Sequence, residues 1–107
     1  MLQKTQRLNL KSEFSRVIKG KRIETLHFVF YFSPASQETP RVGISIRTKN
    51  FGKAHDRNRA RRLTSESLQY SYGLLNNQDL IIMPKSGVLE IAVSLLSEEV
   101  KNVLARR

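Results

Sequence analysis

The sequence predicts an α+β fold, and three observations carry that prediction. The apolar period is helical ahead of Gly20 and becomes two at Leu26. The period of two returns between Arg41 and Arg47. The stretch from Lys53 to Tyr70 then runs without proline or glycine, long enough for a helix of several turns. A chain of 107 residues with 39% hydrophobic content can close one domain, residues 1–107, around a modest core.

Ser12 reads as the N-cap of a first short helix, with Glu13 in its first turn and Gly20 as its stop. Phe14, Val17 and Ile18 form its apolar stripe, and Leu8 and Leu10 ahead of it can pack back on it. In the strand that follows, Leu26, Phe28, Phe30 and Phe32 point to the core, while His27, Val29, Tyr31 and Ser33 point away. The loop Pro34 to Pro40 leads to a second strand, with Val42, Ile44 and Ile46 inward and Arg41, Gly43, Ser45 and Arg47 outward. Two small residues between arginines fit either an ordinary solvent face or a floor on which something lies.

Lys49-Asn50-Phe51-Gly52 is a turn, and the helix from about Lys53 to Tyr70 follows. At about 100° per residue, Arg57 and Arg61 share one line and Asn58 and Arg62 the adjacent one. Ala60, Leu63, Ser67 and Leu68 make a thin inner stripe, which predicts close packing with the arginines outside. Beyond the polar loop Asn76-Asn77-Gln78, Asp79 to Met83 is almost wholly apolar, as in a central strand covered on both faces. Pro84-Lys85-Ser86-Gly87 turns the chain again. A last helix is expected from Ala92 to Ala105, with Val93, Leu96, Val100, Val103 and Leu104 inward and Arg106 and Arg107 suiting its C-terminal end. Val88 to Ile91 fits a strand or a helix start.

Charge is concentrated in one segment. From Arg41 to Arg62 eight cations stand against the single carboxylate of Asp56, which places seven of the chain's ten net positive charges there. Arg57-Asn58-Arg59-Ala60-Arg61-Arg62 sets four guanidinium groups and an amide on about a turn and a half of helix. Planar, bidentate donors at that density ask for a polyanion, most commonly nucleic-acid phosphate. A pI of about 10.6 alone would equally suit RNA, DNA or an anionic membrane.

Other classes fit poorly. The apolar runs Phe28 to Phe32 and Leu80 to Met83 fall far short of the ~20 residues that span a bilayer. No cysteine is present, and Lys4 and Arg7 precede no apolar signal core, so a reducing, cytoplasmic location is expected. The nine carboxylates are scattered without metal-ligand spacing, and Glu98-Glu99 reads as a helix N-terminal pair. His27 reads as a partly buried or ligand-face strand residue, and His55 and Asp56 point about 100° apart on a helix. No catalytic residue is therefore expected in the protein itself.

Arg41-Val42-Gly43-Ile44-Ser45, followed by Lys53-Ala54-His55-Asp56-Arg57-Asn58-Arg59-Ala60-Arg61-Arg62-Leu63-Thr64, resembles the protein subunit of bacterial ribonuclease P. The resemblance takes in that family's R-N-R signature, Glu66-Ser67, Asp79 to Ile82, the Gly87 to Arg107 tail, and Arg7-Leu8, Phe14 and Gly20-Lys21-Arg22 upstream. It implies an α–β sandwich around a four-stranded central sheet, in the order α-β-β-β-α-β-α, with a left-handed β-α-β crossover through the arginine helix. It also implies a catalytic RNA partner with which the chain removes 5′ leaders from precursor tRNA, the Mg²⁺ being held mainly by the RNA. No membrane or small-molecule substrate is implied.

Carried over by position, Lys53, Arg57, Asn58, Arg59, Arg61 and Arg62 would bind the RNA subunit. Phe14, Ile18, Tyr31, Gly43 and Ser45 would line a cleft for the single-stranded leader, where stacking tolerates any sequence. Core packing is the competing role for Phe14. Ile18 stands where many members have a second phenylalanine, Ser65 where an arginine is common, and Ala60 where isoleucine is usual. The alternative is a small ribosomal or general structured-RNA-binding protein. A helix-turn-helix repressor lacks its first helix, because an extended segment precedes the arginines.

Overall fold

The computed structural model describes residues 4–106. Helix α1 spans Leu10–Ile18, followed by strands β1 (Lys21–Glu24), β2 (Phe28–Pro34) and β3 (Val42–Ile44). Helix α2 (Ala54–Gln69), strand β4 (Gln78–Pro84) and helix α3 (Val93–Arg106) complete the order α-β-β-β-α-β-α. The four strands form one mixed sheet in the order β1-β2-β4-β3. β1–β2 and β2–β4 pair antiparallel and β3–β4 parallel, so α2 crosses between neighbouring parallel strands.

The cap of α1 is Asn9, whose side chain accepts from the Lys11 amide at 3.0 Å. Ser12 lies inside the first turn and donates to the Asn9 carbonyl at 3.4 Å, so the expected cap is corrected by three residues. The earlier start brings Leu10 into the helix. Gly20 likewise serves another end than a left-handed stop, since no described glycine has positive φ. A Cβ there would sit 1.9 Å from the Phe32 carbonyl oxygen, so glycine permits the chain to pass against β2.

The residue pattern does not reveal β1, which the resemblance alone supplies to the order, because Ile23 is its single half-buried residue. It pairs with β2 from Lys21↔Phe32 to Glu24↔Val29. Leu26, expected in the core, sits in the turn between these strands and is 79% exposed. The period of two thus runs one step beyond the strand that it describes.

Phe28, Phe30 and Phe32 are buried on one sheet face with Leu80 and Ile82, under Leu68 of α2 and Leu96, Val100 and Leu104 of α3. On the other face Ile81 and Met83 pack with Leu8 and Val17. β4 is therefore covered on both faces, as its apolar run predicts. Each large side chain so buried contributes about 1.5–3 kcal/mol. β3 is shorter than expected, and Ile46 packs against the core from beyond its end. Its outer edge is closed by the Leu8 amide, which donates to the Val42 carbonyl at 2.9 Å.

Ala60, Thr64, Ser67 and Leu68 are the buried face of α2. Thr64 and Ser67 donate their hydroxyls to the Ala60 and Leu63 carbonyls, so burial strands neither group. Asn76 (φ 44°) and Asn77 (φ 63°) turn the chain into β4 in the left-handed region that asparagine tolerates. Ser86–Glu90 is a 3-10 helix, which settles the ambiguous stretch as neither strand nor α-helix start. Val93, expected to point inward, is 36% exposed in the first turn of α3, and Arg107 lies outside the described residues.

Candidate nucleic-acid interface

The small inner stripe of α2 fixes which side chains face out. Asn58, Arg59, Arg61 and Arg62 are exposed, as is Lys53 at the N-cap. Among the described residues none of these is ion-paired to a carboxylate. Arg61 reaches the Asn58 amide oxygen only at 3.5 Å, which leaves its donors available. Arg57 differs from the others. It is half-buried, and its Nη1 donates to the carbonyls of Phe51 (3.0 Å) and Gly52 (3.1 Å). That guanidinium pins the turn that launches the helix while keeping its charge on the same surface.

The outer face of α2 borders a groove of about 1000 Å³, closed by β3 and the Arg7–Leu10 segment. Leu8, Leu10, Val42 and Ile44 give it an apolar floor, and Asn58, Arg61 and Arg62 stand on the α2 side. Ser65, Gln69 and Tyr70 continue that wall, and Tyr70 is 84% exposed. The sequence reading missed this groove, because it is built from four segments far apart in the chain, the fourth being α3 with Val93 and Ser97.

Of the residues expected in a leader cleft, the structure brings Phe14, Ile18 and Tyr31 together. They pack half-buried around Val17, Ile81 and Met83, with Val29 beside them. Phe14 thus belongs to the packing of α1 and keeps part of its surface open. Arg22 is the cross-strand partner of Tyr31 and lies beside its hydroxyl. Gly43 is buried beneath Leu10, where a Cβ would meet Leu10 Cδ2 at 2.5 Å. Part of the room that the small residues leave is therefore filled by the chain's own N-terminal segment. Ser45 is half-buried one step beyond β3, its amide donating to the Ile82 carbonyl at 3.0 Å.

Two carboxylate networks surround this face. Buried Asp79 receives Arg16 Nη2 at 2.5 Å and the Arg41 amide at 3.0 Å. Glu13 receives Arg16 at 3.1 Å and Arg41 at 3.1 Å, and these two guanidinium groups hold its carboxyl below the usual range. At the other end Lys85 and then Arg22 lower the Glu24 carboxyl, with Lys85 Nζ 2.5 Å away. Glu99 corrects the reading of a simple helix N-terminal pair. From the middle of α3 it accepts the His27 amide at 2.8 Å and the Thr25 hydroxyl at 2.5 Å, and meets His27 Nδ1 at 2.6 Å. Burial pushes its carboxyl up, but the bonds from Thr25 and His27 outweigh that, and the net shift is downward.

These partners decide how the carboxylates suit a magnesium ion, which needs open oxygen ligands in octahedral array. Asp79, Glu13, Glu24 and Glu99 are all engaged with cations or donors, and the described residues include no group of three His, Asp or Glu that could hold a metal. These four carboxylates are therefore not open to a magnesium ion as they stand. No described helix is long and apolar enough to cross a membrane.

A family model described as Ribonuclease P matches residues 2–107. The ribonuclease P protein component of Coprothermobacter proteolyticus is 36% identical over 103 residues, covering 95% of this chain and 84% of that relative. That of an Exiguobacterium species is 32% identical over 106 residues, covering 98% and 92%. Among solved structures, the RNase P protein from Thermotoga maritima superposes with a TM-score of 0.82 at 27% identity, covering 94% of this chain and 96% of that one.

Proposed function

Because the chain belongs to the ribonuclease P protein family, we propose that it binds the catalytic RNA subunit through the outer face of α2 and helps that RNA remove 5′ leaders from precursor tRNA. As a ribonuclease P protein component it is a subunit of an endoribonuclease that cleaves tRNA precursors. The observation that carries the RNA-subunit contact is the row Lys53, Asn58, Arg59, Arg61 and Arg62, exposed on one helix with no carboxylate partner. Guanidinium groups held apart from carboxylates are ready for phosphate, and each phosphate neutralised releases counterions. Arg57 adds its charge while ordering the turn ahead of them.

The single-stranded leader would lie on the aromatic face, with bases against Tyr31 and Phe14 and aliphatic contact from Ile18. Gly43 and Ser45 would act at its border, Gly43 by letting Leu10 seat closely. Magnesium belongs with the RNA in this reading, with Glu13, Glu24, Asp79 and Glu99 engaged by donors of the protein itself, and the site of action is the cytoplasm.

Reconstitution tests the proposal. The protein, a bacterial ribonuclease P RNA and precursor tRNA are combined at near-physiological Mg²⁺, beside protein-only and RNA-only controls. Cleavage at the leader junction is expected in the mixture alone. Cleavage by the protein alone, or silence with the cognate RNA shown active at high Mg²⁺, would overturn it.

A further inference from the structure

The groove beside α2 combines features that phosphate binding alone does not use. Its floor is aliphatic, from Leu10, Val42 and Ile44, while Arg61 and Arg62 stand at its wall. Tyr70 borders the same groove with 84% of its surface in solvent. A phosphate backbone has no use for an aliphatic floor, and an apolar partner would bury two guanidinium groups without counter-charge. A ligand that satisfies both carries flat apolar faces and a phosphate within one unit, as a nucleotide does once its base has left the stack.

We propose that this groove takes one extruded, unpaired base of the RNA bound on α2. The base lies between Tyr70 and the aliphatic floor, and its flanking phosphates meet Arg61 and Arg62. Asn58, Ser65 and Gln69 offer donors and acceptors to its edge. The volume of about 1000 Å³ stands at the upper end of the ~300–1,000 Å³ usual for small-molecule sites, with room for the sugar as well. Glu66, the one carboxylate of the lining, keeps the phosphates toward Arg61 and Arg62. Leu8 and Leu10 close the groove on the side of the aromatic face, so this base and a strand over Tyr31 occupy separate places. The inference rests on the reading that α2 binds RNA, and it adds a base-binding element to a contact otherwise made by charge.

Two measurements test it. In an amide NMR titration of the whole chain, adenosine 5′-monophosphate should shift the amides of Ile44, Ser65, Gln69 and Tyr70. Ribose 5-phosphate, with the same phosphate and no base, should shift only those around Arg61 and Arg62. With the RNA subunit, Tyr70→Ala should bind at least about fivefold more weakly, Tyr70→Phe should match the wild type, and the salt slope should stay unchanged. Equal NMR responses to the two probes, or wild-type affinity in Tyr70→Ala with a steep salt slope retained, would overturn the base site and leave the α2 contact standing. Failure of the wild-type chain to bind the RNA subunit at all would overturn both.

Discussion

Arg62→Ala and Arg57→Ala should separate two jobs performed by neighbouring arginines of α2. Lys53, Arg59, Arg61 and Arg62 present four exposed cations, and Arg57 adds a fifth that is half-buried. Each neutralised phosphate contributes about −0.7 to −0.9 to the slope of log K against log salt, so this face should give a slope of roughly −3 to −5. Arg62 is exposed without an ion pair, so its loss should make the slope shallower by about 0.7–0.9 and leave the unfolding midpoint in place. Arg57 also serves the Phe51 and Gly52 carbonyls. Allowing for its partial exposure, removing it should cost about 1–2 kcal/mol, or roughly 5–15 °C in Tm, besides its share of the slope. Fluorescence anisotropy of labelled RNA subunit across a salt series at fixed Mg²⁺ reads the slope, and thermal melts read the stability. A wild-type slope near zero, or an Arg62→Ala slope equal to wild type, would refute the assignment of α2 as the RNA contact.

Other perturbations should act elsewhere. Gly20→Ala places a methyl against the Phe32 carbonyl and should destabilise by at least about 2 kcal/mol in urea unfolding; an unchanged midpoint would contradict the close approach. Glu99 has a lowered folded pKa, so its stabilisation is complete above the ordinary carboxyl value of 4.5 and is lost as pH falls through the folded value. Glu99→Gln should thus be less stable at neutral pH and lose less stability on acidification than wild type, and parallel pH profiles would exclude this role. Tyr31→Ala is expected to weaken precursor tRNA binding to the holoenzyme by about fivefold or more while sparing mature tRNA, with equal loss for both counting against a leader cleft.

What the sequence made legible is what depends on near neighbours. The Phe28, Phe30, Phe32 alternation and the run Leu80 to Met83 encode burial locally, and both are strands. The outward row of α2 follows from residue spacing and a small inner face. β1 was not legible, because it is held by pairing with β2 and shows almost no buried pattern of its own. Glu99 could not be assigned, since its partners Thr25 and His27 lie 74 and 72 residues away. The resemblance singles out Phe14, Ile18 and Tyr31, and the fold does gather them; Gly43, which its own neighbours leave between a solvent face and a cleft floor, is covered by Leu10. Ser12 and Asn9 are both acceptable caps by residue type, and the fold places the cap at Asn9, with Leu10 of the first turn seated against Gly43.

The pairing of Arg16, Arg41 and Arg22 with Glu13, Asp79 and Glu24 has a kinetic consequence. It makes the two sides electrostatically unlike: the exposed α2 cations have no carboxylate partner among the described residues, while beside the aromatic face Arg16, Arg41 and Arg22 are matched internally. On the proposed reading, a strand held there by stacking would dissociate without breaking many ionic contacts, whereas an RNA on α2 would have to shed several at once. Residence times on the two sides should therefore differ widely, since affinity differences lie mostly in the off-rate. One side would then suit an assembly that persists, and the other a substrate that is exchanged at every turnover.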